Sequence, residues 1–268
     1  MTSFSLQHKT VRVWPGTAQA CPIIYFHAFE EISEQLLQQL SATHCPQATL
    51  VIISDLDWNR DMVPWNIPQS DAFHGGADAY LRLLISCIIP EAEKTLGTRP
   101  LWRGIAGYSL AGLFALYALY QSDAFSRAAS ISGSLWFPGI KEYCLSHEPR
   151  RTPDHLYFSL GNKEHKTRNQ MIRCVRENTE AIVDHARKQG IDTTFQLNPG
   201  SRPQNAHPGQ GFHPEVGAQD KVKAHGYTAG QYRKDELPHT QPEKHGFRVI
   251  TDFFIYLDFQ MKSPSFWA

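Results

Sequence analysis

The chain carries no excess of charge of either sign, because its 26 Lys and Arg residues are matched by 26 Asp and Glu residues. This balance gives no electrostatic reason to bind nucleic acid or an anionic membrane surface. No apolar run approaches the roughly 18 residues of a membrane-spanning helix. The start, "MTSFSLQHKTVRVWPG", lacks the basic and apolar regions of a signal peptide. We therefore expect a cytoplasmic protein with neither a nucleic acid nor a membrane as partner.

Metal-binding and disulfide patterns are also lacking. The five cysteines are scattered and form no Cys-x-x-Cys pair, so they predict neither a disulfide framework nor a zinc site. The five histidines that follow residue 201 lack the regular spacing of a zinc motif. We expect no metal and no cofactor.

Short apolar segments alternate with longer segments of helical periodicity. This alternation predicts a mostly parallel, doubly wound sheet with helices on both faces. The predicted strands are 21–29, 48–56, 102–107, 126–133, 154–162 and 192–200. The predicted helices are 30–40, 75–97 (bent around Pro90), 110–123 and 168–190.

The composition changes after Gly200. Residues 201–246 are rich in Gln, His, Gly, Pro and Lys and have almost no periodicity, whereas 247–260 are aromatic and apolar again. We predict an α/β domain over 1–200 and an atypical tail over 201–268, either loosely ordered or ending in one strand or helix.

The segment "GIAGYSLAGLFALYALY" places a single serine between small residues where a strand becomes a helix. The pattern Gly107-x-Ser109-x-Ala111 is a nucleophile elbow, Gly-x-Ser-x-Gly, with alanine in the last place. Small neighbours allow the tight turn that exposes a serine hydroxyl at the carboxyl end of a strand. The helix that begins at Leu110 directs its amide groups and dipole toward this point, which favours a developing oxyanion. A purely structural turn before a buried helix is the alternative.

The segment "RGIAGYSLAGLFALYALYQSDAFSRAASISGSLWFPG" resembles the α/β-hydrolase esterases grouped with enterochelin esterase and esterase D. "DWNRDMVPW" and "LYFSLGNKEHKTRN" are similar to further segments of that family, and the resemblance spans about residues 20–200. It implies an α/β-hydrolase fold and hydrolysis of a small-molecule carboxylic ester through an acyl-enzyme on Ser109. A siderophore ester is one conceivable substrate, and acyl transfer to an alcohol or thiol remains an alternative to hydrolysis.

The same resemblance implies partners for Ser109. Asn162 stands where the family often has its acidic residue, so Glu164 is the expected acid, with a solvated surface side chain as the equal alternative. The oxyanion donors are expected to be the amide of Leu110 and a second amide near Ala28 or Phe29.

The general base is where the sequence departs from the family. The family's histidine closely follows "NPG", but here that position corresponds to Arg202, and an arginine cannot act as a base near neutral pH. Another histidine could take the role, His207 first, then His213 or His245. Alternatively, the base is lost and the protein is an impaired hydrolase that acts as a binding or interaction protein. A frame change in the gene near residue 201 would also explain the tail and would predict loss of activity.

Three tryptophans have two open interpretations. Trp58, Trp65 and Trp136 either line an apolar substrate pocket or belong to the core.

Overall fold

The computed structural model describes residues 1–16, 21–28, 48–67, 70, 72–97 and 99–198. They contain one eight-stranded sheet with the order β1-β2-β4-β3-β5-β6-β7-β8. The strands are β1 (Thr2–Leu6), β2 (Lys9–Trp14), β3 (Ile23–His27), β4 (Thr49–Ser54), β5 (Arg103–Tyr108), β6 (Arg127–Ile131), β7 (His155–Gly161) and β8 (Thr193–Asn198).

The sheet is mostly parallel. Strands β4, β3, β5, β6, β7 and β8 pair in parallel, and β1 and β2 join as antiparallel strands at one edge. Strands β3 and β4 are buried along their whole length, as expected of parallel strands covered on both faces. The parallel α/β arrangement that the sequence predicts is confirmed.

The described helices connect and cover these strands. They are α1 (Trp58–Asp61), α2 (Ala77–Leu83), α3 (Ile89–Lys94), α4 (Leu110–Gln121), α5 (Ile140–Ser146) and α6 (Val175–Lys188). A π-helical turn, Leu84–Ile88, joins α2 to α3 and ends just before Pro90. The expected irregularity near this proline therefore takes the form of a widened turn.

Helix α4 occupies the centre of the core. Its residues from Leu110 to Tyr120 are all buried, so it has no polar face to present to solvent. It packs against β5 and β6. This burial fixes the position of its first turn, where Ser109 lies.

Several elements were not predicted from the sequence, namely the β1–β2 hairpin, α1 and α5. The predicted helix 30–40 and the predicted tail 201–268 lie outside the described residues. Within the described ranges, Cys21, Cys87, Cys144 and Cys174 are free thiols. No helix of that part of the chain is long and apolar enough to cross a membrane.

Candidate active site

Ser109 lies in a strained turn between β5 and α4. Its backbone angles are φ 63° and ψ −122°, a region that non-glycine residues rarely adopt and that is found mostly at functional sites. Hydrogen bonds hold the turn on both sides. The Ser109 amide donates to the carbonyl of Ile131 at 3.1 Å, and the Ser109 carbonyl accepts from the amides of Gly112 and Leu113. The tight strand-to-helix turn that the sequence predicts at Ser109 is present.

The glycines around Ser109 are required by close contacts. A Cβ on Gly107 would lie 2.4 Å from the Cβ of Ala111 and 2.5 Å from its backbone carbon. A Cβ on Gly112 would lie 2.9 Å from the carbonyl oxygen of Gly107 and 3.0 Å from the Cα of Gly133. The strand and the helix can therefore approach closely only because these positions have no side chain.

Leu110 is the first residue of α4. An amide in the first turn of a helix has no acceptor within that helix, and the helix dipole makes this end favourable for negative charge. The amide of Leu110 is thus suited to the oxyanion role expected of it.

Ser134 is a neighbour of Ser109 that sequence reasoning missed. Its Oγ lies 3.2 Å from the Oγ of Ser109, and its amide donates to the Ser109 carbonyl at 2.9 Å. Both side chains are buried, with Ser134 0% and Ser109 1% exposed. Ser134 is the second serine of "SGS", which follows β6. Nothing in the sequence relates this serine to Ser109, and only the fold brings the two together.

Glu164 lies in the turn after β7 and is buried, so the alternative of a solvated side chain is wrong. Its Oε1 accepts a hydrogen bond from the amide of Gly161 at 2.8 Å, and its own amide donates to the Gly161 carbonyl. β6 separates β7 from β5, which places the ends of β5 and β7 about 10 Å apart. The Glu164 carboxylate therefore holds this turn at the carboxyl ends of the parallel strands, where Ser109 also lies. Asn162 is exposed, and its amide donates to Asn198.

The strand expected to supply the second oxyanion donor is β3. The amide of Ala28 is already engaged, because it donates to the carbonyl of Ile53 at 3.0 Å. Phe29 lies outside the described residues. Ala28 would have to give up this hydrogen bond in order to donate to an oxyanion.

His27 ends β3 beside Gly107 of β5. It is fully buried against the rings of Tyr80 and Phe114, with ring centroids 5.6 Å and 5.2 Å away. Burial lowers its pKa to about 4, opposed in part by a hydrogen bond to the carbonyl of Ala106. His27 is therefore a neutral core residue at neutral pH.

The segment 57–65 forms α1 and its exit. Asp61 is buried and accepts hydrogen bonds from the side chain of Lys9 and from the amide of Asp57. This contact ties the β1–β2 hairpin to the segment that follows β4. Of the three tryptophans, Trp136 is a core residue, 2% exposed, while Trp58 and Trp65 are partly buried and pack on the core.

The candidate bases of the tail remain sequence predictions. The described residues do not include the three candidate histidines, His207, His213 and His245. They also do not include Arg202, which stands at the position of the family's histidine. Among the residues that the structure does describe, no cluster of His, Cys, Asp and Glu could hold a metal ion.

Comparison with known proteins extends this picture. Residues 18–195 match the model of the family Esterase, described as "Putative esterase". The uncharacterized protein YbbA of Bacillus subtilis (strain 168) is 25% identical over 168 residues, which cover 60% of this chain and 66%, slightly less than two thirds, of that protein.

Solved structures show the same fold. An IroE-like serine hydrolase from Shewanella oneidensis aligns with a TM-score of 0.58 at 20% identity, covering 76% of this chain and 73% of that one. The siderophore hydrolase EstA from Aspergillus nidulans aligns with a TM-score of 0.55 at 18% identity, covering 73% of this chain and 83% of that one. The predicted α/β-hydrolase fold is confirmed. The chain belongs to the Esterase family and has the α/β-hydrolase fold.

Proposed function

We propose that this protein hydrolyses small-molecule carboxylic esters through an acyl-enzyme on Ser109. The observation that carries the proposal is the strained Ser109 turn, with φ 63°, at the start of a helix that is buried from Leu110 to Tyr120. Strain of this kind persists only where the surrounding structure over-determines it. In the proposed reaction the Oγ of Ser109 attacks the ester carbonyl, the alcohol leaves, and water then releases the acid.

Each remaining role is assigned to a named group. The amide of Leu110 donates to the oxyanion, and Phe29 supplies the second amide. His207 takes the proton of Ser109, because a serine hydroxyl is a weak nucleophile without a base. Glu164 orients that histidine through the carboxylate oxygen that does not bind Gly161. The burial of Glu164 supports a role for it at this sheet edge rather than in solvent.

Turnover of p-nitrophenyl acetate and butyrate tests the proposal. Ser109→Ala should lower kcat by about a thousandfold or more, whereas Ser126→Ala, which truncates another buried serine, should leave kcat within about twofold. Wild-type turnover no faster than that of Ser109→Ala would contradict the serine mechanism. Product analysis with added alcohol or thiol separates hydrolysis from acyl transfer.

His207→Ala, His213→Ala and His245→Ala identify the base in the same assay. The proposal expects His207→Ala to lower kcat about as far as Ser109→Ala, since members of such a unit act together. A siderophore ester belongs in the substrate panel, because EstA and EstB from Aspergillus nidulans, which align with this fold, are described as siderophore hydrolases.

A hydrolase scaffold that lacks its base is the second candidate. It is favoured by Arg202, which stands where the family has its histidine and cannot accept a proton near neutral pH. This candidate predicts slow labelling of Ser109 by a fluorophosphonate with no ester turnover, and no effect of any tail histidine variant.

A further inference from the structure

Ser134 contacts the reacting atom of the proposed nucleophile, and neither the motif nor the family assignment gives it a role. The hydroxyl oxygens of Ser134 and Ser109 are 3.2 Å apart. The Ser134 side chain is 0% exposed, so no bulk water competes for this hydrogen bond.

The backbone ties the same two residues together. The Ser134 amide donates to the Ser109 carbonyl at 2.9 Å. The spacing of the two hydroxyls therefore rests on a backbone contact as well as on two side-chain rotamers.

The segment that carries Ser134 is itself rigidly held. Ser132 adopts a left-handed backbone with φ 42°, and its amide donates to the carbonyl of Ser159 at 2.9 Å. The Nδ2 of the buried Asn178 on α6 donates to the carbonyl of Leu135 at 2.8 Å. Strand β7 and helix α6 thus fix the residues on both sides of Ser134.

The segment is also packed against the elbow. A Cβ on Gly133 would lie 2.0 Å from the Oγ of Ser130, so this position has no room for a side chain. The Cα of Gly133 in turn lies 3.0 Å from where a Cβ on Gly112 would be. The turn of Ser109 and the turn of Ser134 therefore form one close-packed unit.

We propose that Ser134 is a positioning residue of the active site, whose hydroxyl holds the Oγ of Ser109 in a single rotamer for attack. A serine side chain has three staggered rotamers, and one hydrogen bond in a dry site is enough to favour one of them. The proposal rests on the function proposed for Ser109.

Two rates of the full-length protein test it, namely kcat for p-nitrophenyl butyrate and the second-order rate of labelling by a fluorophosphonate. In labelling, the Oγ of Ser109 forms a bond to phosphorus, fluoride leaves, and the serine proton passes to the base. Ser134→Ala should lower both rates by about fivefold, the equivalent of one neutral hydrogen bond, with KM within about twofold of the wild type. A merely structural role would instead lower the melting temperature without this split between kcat and KM.

Ser126→Ala is the matched control. Like Ser134, Ser126 is a buried serine, but it lies just before β6, at the end of the strands opposite to Ser109. Ser134→Cys keeps a weak hydrogen-bonding group and should give rates between those of the wild type and Ser134→Ala. If Ser134→Ala does not fold, a slowed Ser134→Cys supports the proposal and an unchanged one overturns it.

Rates of Ser134→Ala equal to or above those of the wild type would overturn the proposal while leaving the serine mechanism intact. Absence of wild-type labelling would instead overturn the function proposed for Ser109, and with it the role of Ser134.

Discussion

Acid should destabilise this fold through His27, whose imidazole is buried between two aromatic rings. The ring is 0% exposed. Its Nδ1 donates to the carbonyl of Ala106 at 3.4 Å, and its Nε2 has no hydrogen-bond partner among the described residues. Burial lowers the pKa to about 4 from the ordinary value of 6.5, because the charged ring would lose its solvation without gaining an acceptor.

The direction of the effect follows from proton linkage. The unfolded chain binds a proton at His27 near pH 6.5, whereas the folded protein resists it until about pH 4. The stabilising contribution is therefore fully present above pH 6.5 and is lost as the pH falls through this window. With these two pKa values the loss is about 2 kcal/mol at pH 5 and about 3 kcal/mol at pH 4.

Urea unfolding at pH 8 and pH 5 measures this loss. His27→Leu removes the titrating group and keeps an apolar side chain of similar volume. Between pH 8 and pH 5, the free energy of unfolding of this variant should therefore fall about 2 kcal/mol less than that of the wild type. His74→Leu removes an exposed histidine and should behave like the wild type. Parallel losses in the wild type and His27→Leu would refute the reasoning.

Two further substitutions test the packing around the elbow and the attachment of the edge hairpin. Gly107→Ala should destabilise the fold by about 3 kcal/mol or more, because the new Cβ would meet backbone of Ala111 at 2.5 Å; urea unfolding measures it. Lys9→Met should cost about 2 kcal/mol by leaving the buried Asp61 carboxylate without its cation, and adding Asp61→Asn should recover part of that loss in a double-mutant cycle.

Each of these substitutions has its own check. Gly104→Ala, in the same strand, meets the Trp102 side chain at 3.2 Å and no backbone closer than 3.7 Å, so it should cost far less than Gly107→Ala. Equal losses for the two glycines would mean that the elbow contact is not the cause. For the hairpin, strict additivity of Lys9→Met and Asp61→Asn would show that the two side chains are not energetically coupled.

The central strands and the elbow could be predicted because their signals are local and strong. β3, β4 and the start of α4 are continuous apolar segments, and the small residues around Ser109 identify the turn within them. The β1–β2 hairpin was harder to predict from the sequence, because β1 is short and mostly exposed. It turns on two non-glycine residues, Gln7 and His8, with positive φ, so the usual glycine signal is missing.

The candidate site was predictable only where sequence neighbours form it. Ser109 and Leu110 belong to one motif. Ser134, by contrast, is 25 positions away and reaches Ser109 only because β6 pairs beside β5. The burial of Glu164 likewise follows from its bond to Gly161, and a run of charged residues in the sequence gives no sign of it.

The most direct test of Ser109 as the nucleophile is to find where the acyl group is attached. The protein is mixed with p-nitrophenyl butyrate, quenched with acid within the first turnovers and digested for peptide mass spectrometry. We expect a single butyryl group, on Ser109, and none in Ser109→Ala. Ester turnover with the butyryl group on another residue, or with no covalent intermediate at all, would contradict the serine mechanism proposed for this protein.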